Sequence, residues 1–508
     1  MKKYDCLLIN PRPYHYSKAQ KTTPYMPAGL LSIASVLKNA GSEPFVLDMI
    51  AEDDPIRTLS AFMGASPQSV RLVGFTVMTT QIHHAAELSR YIKATFPGVS
   101  VIWGGIHPSL FPEGVLREKL ADFVCTGEGE YAASELLSAL KDGSDPRKVR
   151  GLHFLAGDEL IFTGSREPND LDALPFLNFD LIDYSNYRAR KVFRGSEHLD
   201  VRAGIVISSV GCPYRCTFCV NVNKKLARGS YRSKSASRLA DEIEFLIARH
   251  GIDYFDFLDE NFFVRRSHPE EFVREVGRRG LKFRWNTNIR ADAFDRGLID
   301  DPLLGRLAEA GLYYLGIGAE SASQRILDKL KKDITAAQIS ATVRRVLARG
   351  IGASLSFMMG IPGETKEDVS ATLRLIRELR ALGGKVSIIG PQVFRPYPGG
   401  ELYDECVSSY GYAPPNSVTA WGDSVDPLTG FEDIDNLPWI TDKNFIKKVA
   451  FYMEFANINI DVLRFGPMKR LIFLFLKAVA DFRIRHGFWA FTLEMFLILR
   501  YKKVRAAA

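Results

Sequence analysis

The 508-residue chain contains no uninterrupted apolar run of the ~18 residues that a membrane-spanning helix needs. Its start, MKKYDCLLIN, offers four apolar residues in a row, Cys6 to Ile9. That is too short for a secretory signal and reads as a first strand. Cysteine is scarce: there are six, three of them in one stretch, while Cys6, Cys125 and Cys406 stand far apart. This excludes a disulfide framework and predicts a reducing, cytoplasmic setting. There is no short-period repeat and no low-complexity tract. Net positive charge is also absent from most of the chain. Residues 465–508 hold nine Lys/Arg against two Asp/Glu, a net 9 − 2 = +7, which equals the net charge of the whole. The remainder is neutral and gives no general sign of nucleic-acid binding.

What remains is ordinary globular material, 46% apolar and 25% charged, with length for about three domains. Residues 1–150 alternate apolar runs, CLLIN (6–10), EPFVLD (43–48), RLVGFTV (71–77), VSVIWGG (99–105) and ADFVCTG (121–127), with helical spacing at 28–41 and 82–96. This predicts a doubly wound, flavodoxin/Rossmann-like α/β domain with its ligand at the carboxyl ends of the strands. Residues 151–200 lack a period, and SREPNDLDALPF reads as a linker crossing a surface. A second alternation fills 201–400, with six strand-like runs beginning at 204, 254, 282, 313, 353 and 385. It predicts a partial (β/α)6 barrel of the TIM type, active at the carboxyl ends of its strands. Residues 401–508 form a mostly helical region, basic and amphipathic at 465–508.

GCPYRCTFC (211–219) follows the first barrel strand and places Cys212, Cys216 and Cys219 at spacing C-x₃-C-x₂-C. Zinc usually takes four ligands. The nearest histidines, His198 and His250, lie in no ligand-spaced motif, and the other cysteines form no pair. A 4Fe–4S cluster fits better, because thiolates hold such clusters and three of them leave one iron open for a ligand.

With Phe218 just before its last cysteine, this motif at the end of a first barrel strand resembles the radical S-adenosylmethionine (radical SAM) enzymes. In that family the open iron is chelated by the amino and carboxylate groups of the cofactor. GIGAESAS (316–323) resembles the family segment in which Glu320 and Ser321 would contact S-adenosylmethionine. MMGIPGET (358–365), with Gly360 and Pro362, resembles the turn near the adenine. Asp259 and Glu260 stand where the family often contacts the methionyl amino group. Arg290 would pair with the carboxylate, which suits an arginine fork.

The first domain carries a second resemblance. PYMPAGLLSIASVLKNAG…PFVLD (24–48), GGIHPSLFPEGVL (104–116) and CTGEGE (125–130) resemble the cobalamin-binding domain that precedes the barrel in one large radical SAM subfamily. The likeness covers almost all of residues 1–400. It implies cobalamin contacts at the strand-end loops: Asn10 and Pro11; Thr76, Thr79 and Thr80; Gly104, Gly105 and His107; Gly127, Glu128 and Gly129. The cobalamin motif D-x-H-x-x-G is absent, so His83, His84 and His107 are not assigned to cobalt.

The resemblance implies a cobalamin-dependent radical SAM methyltransferase. A 5′-deoxyadenosyl radical would take hydrogen from an unactivated carbon, and methylcobalamin would supply the methyl group. An external donor of the flavodoxin or ferredoxin type would reduce the cluster. Oxidative cyclisation or rearrangement with the same cofactors is the alternative, and a non-catalytic cobalamin or redox sensor is the alternative of another class. The substrate is expected to be a small or lipid-like molecule, with Arg395, Tyr397 and Tyr403 candidates to face it. No nucleic-acid partner is expected. The basic 465–508 segment reads either as helices packed on the barrel or as a peripheral membrane contact.

Overall fold

A computed structural model of the chain describes residues 3–13, 26–65, 69–188, 190–194, 197–220, 231–426, 431–432, 434–457 and 466–499. The first sheet has seven strands in the order β2-β1-β3-β4-β5-β6-β7. Strands β1 (Cys6–Asn10), β2 (Pro44–Asp48), β3 (Leu72–Thr76), β4 (Ser100–Gly104) and β5 (Phe123–Cys125) run parallel. Helices cover both faces, which is why β1 is buried at all five positions and has no polar alternation. The strand order reverses between β1 and β3, and a doubly wound sheet offers its ligand crevice at such a switch point.

The expected linker is partly sheet. Leu152–Ala156 (β6) and Glu159–Phe162 (β7) form an antiparallel hairpin that extends the first sheet past residue 150. Gly157 turns it, at φ +63°. Farther on, Leu177, Phe179, Leu181 and Tyr187 are buried in the apolar core that runs through both halves of the molecule. Burial therefore anchors the later part of this segment, while Ser165, Glu167, Pro168, Asp170, Asp172 and Ala173 before it are exposed.

Six parallel strands, Ala203–Val206, Tyr254–Phe257, Arg284–Ile289, Leu312–Glu320, Gly352–Met359 and Val386–Val393, follow in sequential order. The first and sixth strands are not neighbours, so the barrel is partial, as the six-run pattern predicts. Its helices are set by local chemistry. In Ala236–His250, Leu239, Ala240, Ile243 and Leu246 form the buried stripe. The Ser235 hydroxyl caps its start, accepting from the Arg238 amide at 3.2 Å. Gly251 ends it at φ +65°. Helix Lys443–Asn457 packs along the sixth strand, and its Asn457 amide donates to the Gly390 carbonyl at 2.7 Å. Five helices dominate the region after 400: Glu401–Tyr410, Val418–Asp423, Lys443–Asn457, Pro467–His486 and 493–499.

Gly311 turns into the fourth barrel strand at φ +88°, where a Cβ would stand 1.9 Å from the Phe283 carbonyl oxygen. Gly311→Ala is expected to cost about 2–5 kcal/mol, from left-handed strain plus the clash. Gly411→Ala, at φ +70° with nothing near its Cβ, should cost only about 1–2 kcal/mol. Urea denaturation compares the two, and equal losses would remove the clash from the account.

Candidate active site

The cysteine loop leaves the first barrel strand through Ser209 and Val210, which pair antiparallel with Ser233 and Arg232. Gly211 makes the turn at φ +88°. The loop is then pinned at Thr217. Its amide donates to the Leu330 carbonyl at 3.0 Å and its hydroxyl to the Lys329 carbonyl at 3.1 Å. Its own carbonyl accepts from the Leu402 amide at 3.1 Å. Gly400 lies so close that a Cβ there would be 2.6 Å from that carbonyl oxygen. Cys216 is buried and Cys212 and Cys219 are half-buried, and all three stand outside any disulfide. The Cys219 amide donates to the Cys216 carbonyl at 3.1 Å.

Two buried cations face this loop. The Arg290 guanidinium stacks 3.8 Å from the ring centre of Tyr214, and Lys332 Nζ lies 5.8 Å from that of Phe218. Both charges interact with Cys216. Burial pushes the Cys212 thiol above its usual range, while the Tyr214 amide and Arg290 pull the other way. The donor set suits an iron–sulfur cluster: thiolates on one loop, with cations placed against the negative charge such a group carries. Among the described residues, no three His, Cys, Asp or Glu side chains converge as the ligands of one metal ion would.

Glu320 ends the fourth barrel strand at φ +60° and pairs with Lys332, Nζ to Oε1 2.8 Å, both nearly buried. That pair also accounts for Gly318, whose Cβ would fall within 2.7 Å of both charged groups. Ser321 has no exposed surface. Its hydroxyl is shared with Thr372 at 3.1 Å and accepts from the Ser323 amide at 3.1 Å. These bonds brace the strand end.

Asp259 is also turned inward, accepting from the Ser208 hydroxyl at 2.8 Å, the Ser209 hydroxyl at 2.7 Å and the Ser209 amide. Burial raises its carboxyl to about 6, against those hydrogen bonds. Its neighbour Glu260 is the carboxylate that meets the cysteine loop, accepting from the Gly211 amide at 3.2 Å. Arg290 donates to Asp292 at 3.0 and 3.2 Å and to the Lys332 carbonyl. It ties the cysteine loop to the Lys332 turn.

In the turn after the fifth strand, Gly360 takes φ +69° and its carbonyl accepts from Trp439 Nε1 at 2.7 Å. Pro362 is buried beside it. Glu364 closes the turn, accepting from the amides of Gly360 at 2.6 Å and Ile361 at 3.3 Å.

The first-domain residues gather at the carboxyl end of its sheet. Asn10 donates to Asp48 at 2.9 Å, and Gln81 donates to Asn10 at 3.0 Å and to the Pro11 carbonyl at 2.7 Å. Tyr187 donates to the other Asp48 oxygen. Gly105, at φ +97°, lies against Thr76 and Val77, where a Cβ would meet atoms at 3.0 Å. Thr79 and His107 Nδ1 are 3.2 Å apart. His107 is 1% exposed and its ring packs against Phe111 and Trp421. Burial lowers it to about 4, so it is neutral at physiological pH. Thr80 and Gly104 are partly exposed. A Cβ on Gly129 would crowd Ile33 at 3.1 Å. Gly127 (φ +88°) and Glu128 line a cavity of about 790 Å³ beside β5, roofed by residues 415–418 and Trp421. The cysteine loop does not line it.

Glu128 does more than line a cavity. Its carboxylate pairs with Arg232 and accepts from the Asn169 amide at 2.7 Å. Arg232 is the residue paired with Val210, directly before the cysteine loop. One ion pair therefore ties the carboxyl end of the first sheet to that of the barrel. Sequence reasoning misses Arg232, Lys332 and Trp421. Each meets its partner only through long-range folding, and the lone signal is the KKD run at 331–333, a few residues beyond the segment that resembles a family motif.

Burial raises Glu364 to about 7 against its two amide hydrogen bonds. The folded chain therefore holds this proton more tightly than the unfolded chain, and stability falls as pH rises from about 4.5 to about 7. Glu364→Gln should flatten that slope relative to the parent by about 1–3 kcal/mol across the window. Urea unfolding across this pH range measures it, and identical slopes would refute the assignment.

The chain matches the B12 binding domain over residues 20–137 and the radical SAM superfamily over residues 206–376. It is 27% identical over 412 residues to an uncharacterized methyltransferase of Pyrococcus horikoshii, covering 80% of this chain and 84% of the relative. It is 28% identical over 417 residues to the anaerobic magnesium-protoporphyrin IX monomethyl ester cyclase of Cereibacter sphaeroides, covering 80% of this chain and 65% of that enzyme. Its fold is similar to that of the radical S-adenosylmethionine methyltransferase TsrM from Kitasatospora setae, solved with cobalamin and a 4Fe–4S cluster bound. The TM-score is 0.64 at 22% identity, over 82% of this chain and 80% of that one. The chain is a member of the radical SAM superfamily that carries a B12-binding domain ahead of its barrel.

Proposed function

We propose that this chain is a cobalamin-dependent radical SAM methyltransferase acting on an unactivated carbon of a small or lipid-like molecule. The observation that carries the reading is the Glu128–Arg232 pair, because it turns the two cofactor modules toward each other. When bound, a reduced 4Fe–4S cluster with S-adenosylmethionine supplies a 5′-deoxyadenosyl radical that removes hydrogen from carbon, and cobalamin supplies the methyl group.

The protein's part is to hold and orient. Cys212, Cys216 and Cys219 would hold the cluster, with Phe218 packed beside them. Arg290 and Lys332 offset its negative charge. Lys332 also fixes the Glu320 carboxylate, which with Glu260 would meet the polar end of S-adenosylmethionine. The Gly360–Glu364 turn would border its adenine. Gly105, Gly127 and Gly129 would let a flat ring system approach backbone. Asn10, Asp48 and Gln81 lock the loops beneath it. Electrons would come from an external flavodoxin- or ferredoxin-type donor. The basic C-terminal segment supports a peripheral membrane setting, in which a lipid-like substrate is at hand.

The similarity to a cyclase supports a second reading, oxidative ring closure with the same cofactors. Anaerobic reconstitution with S-adenosylmethionine, cobalamin and a reductant separates them. Methyl transfer requires S-adenosylhomocysteine and methylcobalamin alongside 5′-deoxyadenosine. 5′-Deoxyadenosine with cobalamin that is never methylated would favour cyclisation or rearrangement. Cys216→Ala should abolish 5′-deoxyadenosine formation; an unaffected variant would end the radical reading. Arg232→Met should leave 5′-deoxyadenosine formation within about twofold yet cut methylated product about tenfold, by loosening the contact between the modules. Equal losses in both products would count against the facing-module account.

A further inference from the structure

We propose that the C-terminal helical hairpin is a wedge that seats on an anionic bilayer surface, with Phe491 at its tip. This deepens, and rests on, the peripheral setting read above for residues 465–508. Helix Pro467–His486 places Met468, Leu471, Ile472, Phe475 and Phe482 within one arc of about 100°, from a turn of 3.6 residues. These five side chains are 50–73% exposed. The next helix, 493–499, adds Leu493, Phe496 and Leu497 at 56–67%. Scattered apolar residues on a surface need no explanation, but two consecutive helices that between them expose eight large apolar side chains mark an interaction site. Among the described residues no helix is long and apolar enough to cross a membrane, so this face lies on a bilayer rather than through one.

The turn between the helices is held by force. Gly487 ends the first helix at φ +61°. Arg483, only 6% exposed, donates to the carbonyls of Phe488 at 3.1 Å, Ala490 at 2.8 Å and Phe491 at 2.9 Å. It also donates to Glu494 at 2.8 Å, which in turn accepts from the Tyr452 hydroxyl at 2.8 Å. This clamp keeps Phe491 at φ +51°, a left-handed conformation that a bulky L-residue avoids. Phe491 gains no burial in return, for it is 88% exposed. A buried arginine thus holds a strained aromatic out into solvent, beside Phe488 at 43%.

Charge chooses the occupant. The two acidic residues of the hairpin are both ion-paired: Asp481 with Arg380 at 3.1 Å and Glu494 with Arg483 at 2.7 Å. Lys469, Arg470 and Arg485 are exposed. The sequence then continues through Arg500, Lys502, Lys503 and Arg505. A second copy of the chain would bring the same positive charge to this face, whereas anionic lipid head groups complement it.

Flotation of the full chain with vesicles tests this without turnover. Binding is expected to phosphatidylcholine vesicles containing phosphatidylglycerol, to weaken with salt, and to be poor with phosphatidylcholine alone. Phe491→Gly should lower the partition coefficient about tenfold, while the thermal midpoint stays level or rises, since glycine takes φ +51° without strain. Phe475→Ser, on the other end of the face, should weaken binding as well. Absent binding, or equal binding to neutral and anionic vesicles, would overturn the proposal. So would a dimer in ultracentrifugation that Phe491→Gly dissociates, which would give the face to a second copy. A lowered midpoint for Phe491→Gly would make Phe491 a packing residue and overturn its role at the tip. S-adenosylmethionine cleavage by the same preparations reports on the enzyme reading independently.

Discussion

Everything in this molecule follows from one geometric demand: two parallel sheets must point the same ends at each other. A parallel sheet collects its ligand at the carboxyl ends of its strands, whether it is open or curled into a barrel. Two ligands can share a reaction only if those ends meet. Here they meet at Glu128 and Arg232, each 21% exposed at its side chain. An ion pair in that half-buried position is worth little as stabilisation alone. Its value is directional, because Arg232 belongs to the strand pair that launches the cysteine loop and Glu128 to the loop that leaves β5. Tyr187 reaching Asp48 and the Leu177 amide donating to Glu242 at 3.0 Å repeat the same stitching farther along.

The second demand is electrostatic. Lys332 and Glu320 are a nearly buried pair, and burying such a pair usually costs about as much as it returns. Lys332 keeps its proton because its carboxylate partner and Cys216 outweigh the burial that pushes the other way. Arg290 is in the same position, held by Asp292 and facing Cys216. Two desolvated cations beside three thiols make sense when the thiols ionise and carry an anionic cluster. Without such a group both would be expensive ornaments. The carboxylates divide by the same logic. Asp259 is sealed in by Ser208 and Ser209, and Glu260 is left at the loop.

Much of this was legible in the sequence. All six barrel runs become strands, because buried parallel strands read as short apolar runs between capped helices. The three cysteines, Glu320 and the strand-end glycines fall at carboxyl ends, where the alternation put them. What was not legible fails for identifiable reasons. The β6–β7 hairpin is short and half-exposed on β7, so its alternation is weak, although the Gly157-Asp158 turn was a usable signal. The partners of Ser321 and Asp259 within the fold could not be read either, because motif position does not say which way a side chain turns. Arg232 finds its partner 104 residues away, a distance at which one sequence carries no pairing information. His107 is buried by Trp421, which arrives only after the whole barrel has been made.

That last contact shows what the region after residue 400 is for. The Val418 amide and Thr419 hydroxyl both donate to Glu118, at 2.6 Å and across 300 residues of sequence. His83 faces Asp423 at 3.2 Å, and a Cβ on Gly422 would touch its ring. The same region caps the Gly360 turn through Trp439 and covers the sixth barrel strand with Lys443–Asn457. The contacts to Glu118 and His83 span 300 to 340 residues of sequence (423 − 83 = 340), so closing them brings distant parts of the chain together. In the folded chain the terminal region locks one sheet against the other. A barrel left open along one edge gains from such a fastening. The same fastening carries the exposed hairpin, so the face offered outward is anchored, through Arg380 and Asp481, to the helix that follows the Gly360 turn.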